Sequence, residues 1–399
     1  MSWIKFALAN LKLSPLTAGV NVLLMALGTA SIVILLLAGA QLSDTMSRDA
    51  RGIDLVIGAK GSPVQLVLAT VYHADAPPGN IVLGDAERWV EDRRIAQAIP
   101  VSLGDSYRGF RIVGTTRDYG DLYDAELDTG QWWAQPMEAV VGASAAKASG
   151  LEVGTEFDGA HGFSDGGHAH DRTPYLVTGV LAPTGTVIDR LVLTSLESVW
   201  LLHGDEDHGA HDDHEHDAHE VTAFLLRYVS PMSAATMPRQ INTSSNLLAA
   251  APAMEVARVL KMVGVGLDGL RAFAWILILS AALSIFAALY GSLRSRRSDI
   301  AMLRCLGATR WELFFALLLE GLLLTALGVA LGFVAGHVIV ESLGSWLQGT
   351  RGLSFTGWIW LRTETALIFG LIAVGVMAAA IPAIQAYRTD VAKTLAEAP

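Results

Sequence analysis

Residues 16–40 read LTAGVNVLLMALGTASIVILLLAGA, without one charged side chain. A helix needs about 20 mostly apolar residues to cross the hydrocarbon core of a bilayer, so this stretch is long enough to span one. Three more stretches share the property. Ala272–Leu293 and Thr365–Tyr387 are uncharged, and Leu313–Val340 is interrupted only by Glu320 and His337. The sequence therefore predicts four transmembrane helices, over 16–41, 270–293, 312–341 and 365–387. The long segment 42–266 between the first two is too polar to join them.

Composition supports that division. Of 399 residues, 52% are hydrophobic and 17% charged. Soluble domains carry about 25% charged residues, so a purely soluble enzyme and a disordered scaffold are both excluded. Residues 43–266 hold 16 Lys and Arg against 31 Asp and Glu, a net of −15, while the remainder carries a net of +4. An acidic domain repels phosphate, and no nucleic-acid partner is expected. Cys305 is the single cysteine. No intrachain disulfide can form, and core packing alone must hold the acidic domain.

Basic residues mark the cytoplasmic flanks of membrane spans. Lys5 and Lys12 precede the first span. Arg294, Arg296, Arg297, Arg304 and Arg310 crowd the link over 294–311, and Arg388 and Lys393 follow the last span. These three regions fall on one side, which places both termini in the cytoplasm. The domain over 42–266 and the short loop over 342–364 are then outside. Residues 1–15 include WIKFALANLKL, which suits an amphipathic helix at the cytoplasmic interface or a plain extension of the span. The tail covers 388–399.

The expected fold class is an integral membrane α-helical protein with a mixed α/β extracytoplasmic domain between its first and second transmembrane helices. Strands are expected at 54–57, 175–181 and 224–229, and helices at 85–99, 195–203 and 254–266. Gly- and Pro-rich turns separate them.

Two His-rich loops, 161–171 and 203–220, hold nine of the eleven histidines. The first contains His161, His168 and His170. The second contains His203, His208, His211, His214, His216 and His219 among eight acidic residues. Imidazole beside carboxylate suits zinc or another divalent metal. The spacing matches no structural zinc motif, and HExxH is absent because Ala218 stands where the second His is required. A solvated insertion and a response near pH 6 are the other two readings. No GxxxxGK[ST] loop is present to hold nucleotide phosphates, and no GxSxG elbow supplies a nucleophile. Glu320 lies inside the third span, where a charge costs about 2.5–3.5 kcal/mol. It reads either as a helix contact or coupling switch, or as a structural carboxylate that snorkels or is buried in a dimer.

The link between the second and third spans reads RRSDIAMLRCLGATR over 296–310. It resembles the signature of the FtsX/MacB/LolC family of ABC permeases, RR-x-E-I-x-x-L/M-R-x-x-G-A. In that family the stretch forms the cytoplasmic segment that docks on an ATPase. The resemblance assigns docking to Arg296, Arg297, Asp299, Ile300, Leu303, Arg304, Gly307 and Ala308. Asp299 stands where Glu is commoner. The tail from Pro382 to Leu395 is similar to the family's ending, with Val391 in place of the usual second proline.

The resemblance implies a permease subunit without an ATPase motif of its own, in the bacterial inner membrane, with its large domain in the periplasm. Its partners would be a cytoplasmic ABC ATPase dimer carrying ATP and Mg, a second permease copy or paralogue, membrane lipid, and a periplasmic protein or lipoprotein. ATP hydrolysis would move the periplasmic domain to export or extract a lipophilic, peptide or lipoprotein cargo. The alternative is a non-transport mechanotransmission or metal- and pH-sensing module that controls a periplasmic partner.

Overall fold

The computed structural model describes residues 15–161, 174–204, 219–295, 302, 304–305, 307–351 and 355–388. The expected interfacial helix over 1–15 lies outside these, except for Pro15, as does the tail beyond Arg388. Four of the described helices are long and apolar enough to cross a membrane. Contacts divide the chain into a helical body and an α/β body.

Helix α1 (Pro15–Asp49) opens on a proline, which is tolerated in a first turn where its missing N–H would be unsatisfied anyway. The α/β body then begins. In chain order it contains β1 (Leu55–Ala59), α2 (Pro63–Thr70), β2 (Ile81–Val82), α3 (Leu83–Val90), β3 (Ile95–Tyr107) and β4 (Phe110–Thr115). Next come α4 (Asp118–Leu122), β5 (Leu127–Gly130), β6 (Glu138–Val141), α5 (Ala143–Ser149), β7 (Glu156–Phe157), β8 (Ala160–His161) and β9 (Tyr175–Leu181). It finishes with β10 (Leu191–Ser195), α6 (Leu196–Gly204), β11 (Glu220–Val221), β12 (Ala223–Tyr228), α7 (Met237–Ser244) and β13 (Leu247–Ala250).

Its main sheet runs β13-β1-β12-β3-β4-β10-β6-β9-β5, with β7 beside β9 and β8 beside β3. The β4–β10 and β6–β9 pairs are parallel and the others antiparallel. Successive side chains on a strand point to opposite faces, and here both faces are buried. Val56, Val113, Leu191, Leu193, Leu225 and Leu248 join one core with Met46 of α1, Leu66 of α2 and Tyr119 of α4. On the opposite face Leu55, Ile57, Phe224 and Leu226 pack on Trp89 of α3 and Ile241 of α7. Farther along that face Ile112, Val141, Val177 and Val192 pack on Ala145 of α5.

The helix expected over 85–99 is two elements. The Asp92 carboxylate accepts from the Arg94 amide at 2.9 Å and from its guanidinium at 2.7 Å, and the Ile95 amide donates to the Asp92 carbonyl at 2.8 Å. That side-chain turn offers the backbone an alternative to the helix. The chain leaves it as β3, where Gln97–Val101 pair with β12.

The helical body takes α1 up to Ala40, α8 (Pro252–Ser295) from Gly264, α9 (Arg310–Arg351) to Gly344, and α10 (Arg362–Arg388). On α8, Ala274, Ile278, Ala281, Ile285 and Leu289 form a buried stripe, while Trp275, Ile276, Leu279 and Leu283 are exposed. Both faces are apolar, as expected of a helix with lipid on one side and protein on the other. Helix α9 continues past Val340 to Arg351, so the non-helical part of the loop expected over 342–364 is shorter than that range. Ser342–Leu347 contains no proline, and the one glycine there, Gly344, is accommodated within the helix.

The contact between α1 and α9 is made through glycine. Gly328, Gly332 and Gly336 recur every fourth residue and face Val22, Met25, Ala26, Thr29, Ala30 and Val33. Small residues allow helix backbones to approach closely where lipid supplies no hydrophobic drive between helices.

Candidate functional site

Of the residues assigned to ATPase docking, Arg296, Arg297, Asp299, Ile300 and Leu303 lie outside the described residues. Arg304 is helical, and the Gly307 amide donates to its carbonyl at 3.1 Å. Gly307 has φ +103°, a conformation open to glycine and costly for other residues. Ala308 and Thr309 follow without regular structure, and α9 starts at Arg310.

The start of α9 is capped reciprocally. The Thr309 amide donates to Glu312 Oε2 at 2.6 Å, and the Glu312 amide donates to Thr309 Oγ1 at 3.3 Å. This is a capping box, with two otherwise orphaned amides satisfied at once. Trp311 lies 5.0 Å from the Tyr387 ring, beside Arg310 and Arg388. Aromatic and basic residues together suit a membrane–water interface. Thr309→Ala should cost about 1 kcal/mol through the lost cap, lowering the melting temperature of the detergent-solubilised protein. Thr309→Ser should retain the wild-type value. Equal losses in the two variants would contradict this assignment.

Glu320 is buried in the helical body. Its neighbour Gly321 faces Leu289 of α8 and Ala379 of α10. A second polar cluster, not singled out from the sequence, joins α9 to α10. Glu364 is fully buried, and its Oε2 accepts from the Leu361 amide at 3.0 Å, which caps α10. Its Oε1 lies 3.6 Å from His337 Nε2, while His337 Nδ1 is hydrogen-bonded to the Gly357 carbonyl. Glu341 Oε2 accepts from Thr356 Oγ1 at 2.9 Å and from the Gly357 amide at 2.8 Å. A carbonyl only accepts, so His337 Nδ1 is the donor in its bond to Gly357.

The His-rich loops contribute little to the described structure. His168, His170, His208, His211, His214 and His216 lie outside the described residues, as do the side chains of His161 and His203. His219 is exposed, with its ring 4.1 Å from that of Trp200. Among the described residues, no three His, Cys, Asp or Glu side chains gather as a metal site.

One histidine outside those loops has a defined setting. His73 is 6% exposed, has φ +51°, and its Nε2 shares a hydrogen bond of 2.9 Å with Tyr119 Oη. Burial, then the positive charges of Arg111 and Arg190, pull its pKa down from 6.5 to about 3. The unfolded chain binds this proton below about pH 6.5, and the native chain excludes it until about pH 3. Native stability should therefore be complete above about pH 6.5 and fall by about 1.4 kcal/mol per unit as pH drops below it. Thermal unfolding followed from pH 7 to pH 4.5 checks this. His73→Asn, which tolerates positive φ, should flatten the slope. An unchanged slope would remove His73 as its source.

A family model for the MacB-like periplasmic core domain matches residues 18–243, and one for the FtsX-like permease C-terminal region matches residues 271–391. The first alone covers more than half of the chain. The chain belongs to the FtsX/MacB-like ABC permease family. This permease is a multi-pass membrane protein with a large extracytoplasmic α/β domain. It is 34% identical over 135 residues to an uncharacterized ABC transporter permease protein of Mycobacterium tuberculosis, a match covering 32% of this chain and 15% of that protein. The permease thus spans a small part of that relative's length. The periplasmic region of MacB from Actinobacillus actinomycetemcomitans aligns over 53% of this chain and 95% of its own, with 13% identity and a TM-score of 0.34. The extracellular domain of the noncanonic ABC-type transporter YknZ from Gram-positive bacteria aligns over 49% and 98%, with 13% identity and a TM-score of 0.31. The family assignment rests on the two sequence models.

Proposed function

We propose that this permease is the membrane subunit of an ABC transporter of the bacterial inner membrane. A separate cytoplasmic ATPase dimer binds ATP and Mg, docks on the link over 294–311, and moves the extracytoplasmic domain through the membrane helices. A second permease, identical or paralogous, completes the assembly. The cargo is lipophilic, a peptide or a lipoprotein, exported or extracted on the periplasmic side. The observation that carries this reading is the arginine-dense stretch 296–310 lying within the FtsX-like match. The chain contributes no ATP hydrolysis in this reading.

The test is co-purification with candidate ABC ATPases of the same organism, followed by ATPase assays in proteoliposomes. The wild-type chain should retain the ATPase, and the double charge reversal Arg296→Glu, Arg297→Glu should release it while still reaching the membrane. An ATPase held equally by both chains, or by neither, would overturn the docking assignment.

The nine loop histidines favour a second reading, in which zinc or protons tune a non-transport signal to a periplasmic partner. Deleting 203–220 separates the two. Unchanged growth under zinc limitation and excess, with an unchanged ATPase response, would remove the metal role.

A further inference from the structure

The α/β body contains a cavity of about 480 Å³. Leu42, Met46, Leu68 and Phe110 supply apolar wall, and Asp49, His73, Arg111 and Arg190 supply polar wall. Ala74 and Gly109, which also line it, are exposed and mark its mouth. Ligand sites typically occupy about 300–1,000 Å³, with mostly apolar walls and a few polar groups that set orientation.

Two residues of this wall carry buried atoms with no hydrogen-bond partner among the described residues, His73 Nδ1 and Asp49 Oδ1. Both residues are more than nine-tenths buried, with His73 6% exposed and Asp49 2%. His73 uses its other ring nitrogen on Tyr119 Oη, and Asp49 turns Oδ2 to Arg190 at 3.3 Å. A buried polar atom left in that state is costly, and a ligand that satisfies it relieves the cost.

The two atoms select the ligand's head group. An ionised carboxylate only accepts, and a neutral imidazole nitrogen donates or accepts according to its tautomer. A hydroxyl does both, so it satisfies either atom. An anionic head has no proton to offer Asp49, and a cationic head would meet the guanidinium groups of Arg111 and Arg190 on the same wall. The charges of the wall call for no ion either. Asp49 answers Arg190, and Arg111 donates to the Asp75 carbonyl at 2.7 Å and is under the influence of the Asp75 carboxylate.

We propose that this cavity binds an uncharged single-chain amphiphile with a hydroxyl head, of the fatty-alcohol and monoacylglycerol class. The hydroxyl head sits by His73 Nδ1 and Asp49 Oδ1, and the alkyl chain lies along Leu42, Met46, Leu68 and Phe110. The site does not depend on ATPase coupling, and its test leaves the ATPase out.

The full chain is reconstituted in nanodiscs and photolabelled with octanol carrying a diazirine in its chain, and the labelled peptides are mapped by mass spectrometry. Saturable labelling of the peptides that contain Leu42, Leu68 and Phe110 is expected, with protection by unlabelled octanol. Octyl methyl ether, which keeps the oxygen and loses the donor, should protect about tenfold less well or worse, a difference of about 1.4 kcal/mol. Octanoate and octyltrimethylammonium should be at least as poor. Monooctanoylglycerol distinguishes two supporting outcomes: protection equal to octanol means that a glycerol head is accepted, and poor protection means that a simple alcohol is selected. Leu42→Trp, which fills the wall, should abolish labelling at Leu68 and Phe110. If that variant fails to fold by thermal melting, the comparison of octanol with its methyl ether on the wild-type chain decides alone. Labelling confined to the membrane helices, equal protection by the ether or by either ion, or unchanged labelling in a folded Leu42→Trp would overturn the proposal.

Discussion

Gly332→Leu should unfold or strongly destabilise the helical body, whereas Gly370→Leu should leave it close to wild type. Both glycines are helical, so the intrinsic gain in helix propensity is the same, about 1 kcal/mol in favour of leucine. Their surroundings differ. A Cβ on Gly332 would overlap the Ala26 carbonyl oxygen and lie 2.7 Å from Thr29 Cβ, while one on Gly370 meets nothing within 4 Å. Overpacking against side chains costs about 1–3 kcal/mol and sometimes more. Here the obstacle is backbone, which cannot rotate away, so α1 and α9 must separate. Separation also disturbs the neighbouring contacts of Gly328 with Met25 and of Gly336 with Val33. Thermal unfolding in detergent, compared between the two variants, provides the measurement. Equal melting temperatures would mean that the close approach of α1 and α9 contributes nothing to stability.

The membrane helices were the most legible part of the sequence, because hydrocarbon imposes one requirement that an uncharged run such as 16–40 meets openly. Sheet order was not legible. Strand β3 lies between β12 and β4, and β10 runs parallel to β4, pairings set by contacts far apart in the chain. The 85–99 region misleads locally, because the charged residues 91–94 continue a helical pattern until the Asp92 side chain closes a turn. The stretch over 296–310 that resembles the family signature is a local motif, so the resemblance needs no tertiary contact to be seen. The cap at Thr309–Glu312 is equally local, yet the arginines around it draw the reading toward ATPase contact. The buried polar groups behave differently. His337 meets Glu364, and His73 meets Tyr119, only after folding, with no spacing rule that would join them beforehand.

Removing Arg190 should cost the α/β body about 3–5 kcal/mol, the usual penalty for leaving one member of a buried ion pair without its partner. Asp49 ends α1 with its side chain 2% exposed, and Arg190 is the cation that faces it, at 3.3 Å. Arg48 also acts electrostatically on Asp49, and the two nearby phenols are already engaged. Tyr123 Oη donates to the Asp49 carbonyl at 2.9 Å, and Tyr72 Oη donates to the Met46 carbonyl at 3.0 Å, so both phenols already hold the backbone of this last turn. Burial holds the Tyr123 hydroxyl well above the ordinary phenol pKa, so it remains a neutral donor. Arg190→Met keeps much of the side-chain volume and removes the charge, which isolates the electrostatic loss from the packing loss. Adding Asp49→Leu to Arg190→Met should then recover much of the stability, because well-packed apolar residues can replace a buried pair at little cost. Chemical denaturation of the wild type, the two single variants and the double variant forms the cycle. A double variant as unstable as the sum of the singles would mean that Asp49 and Arg190 contribute separately, and that the pair does not anchor the end of α1.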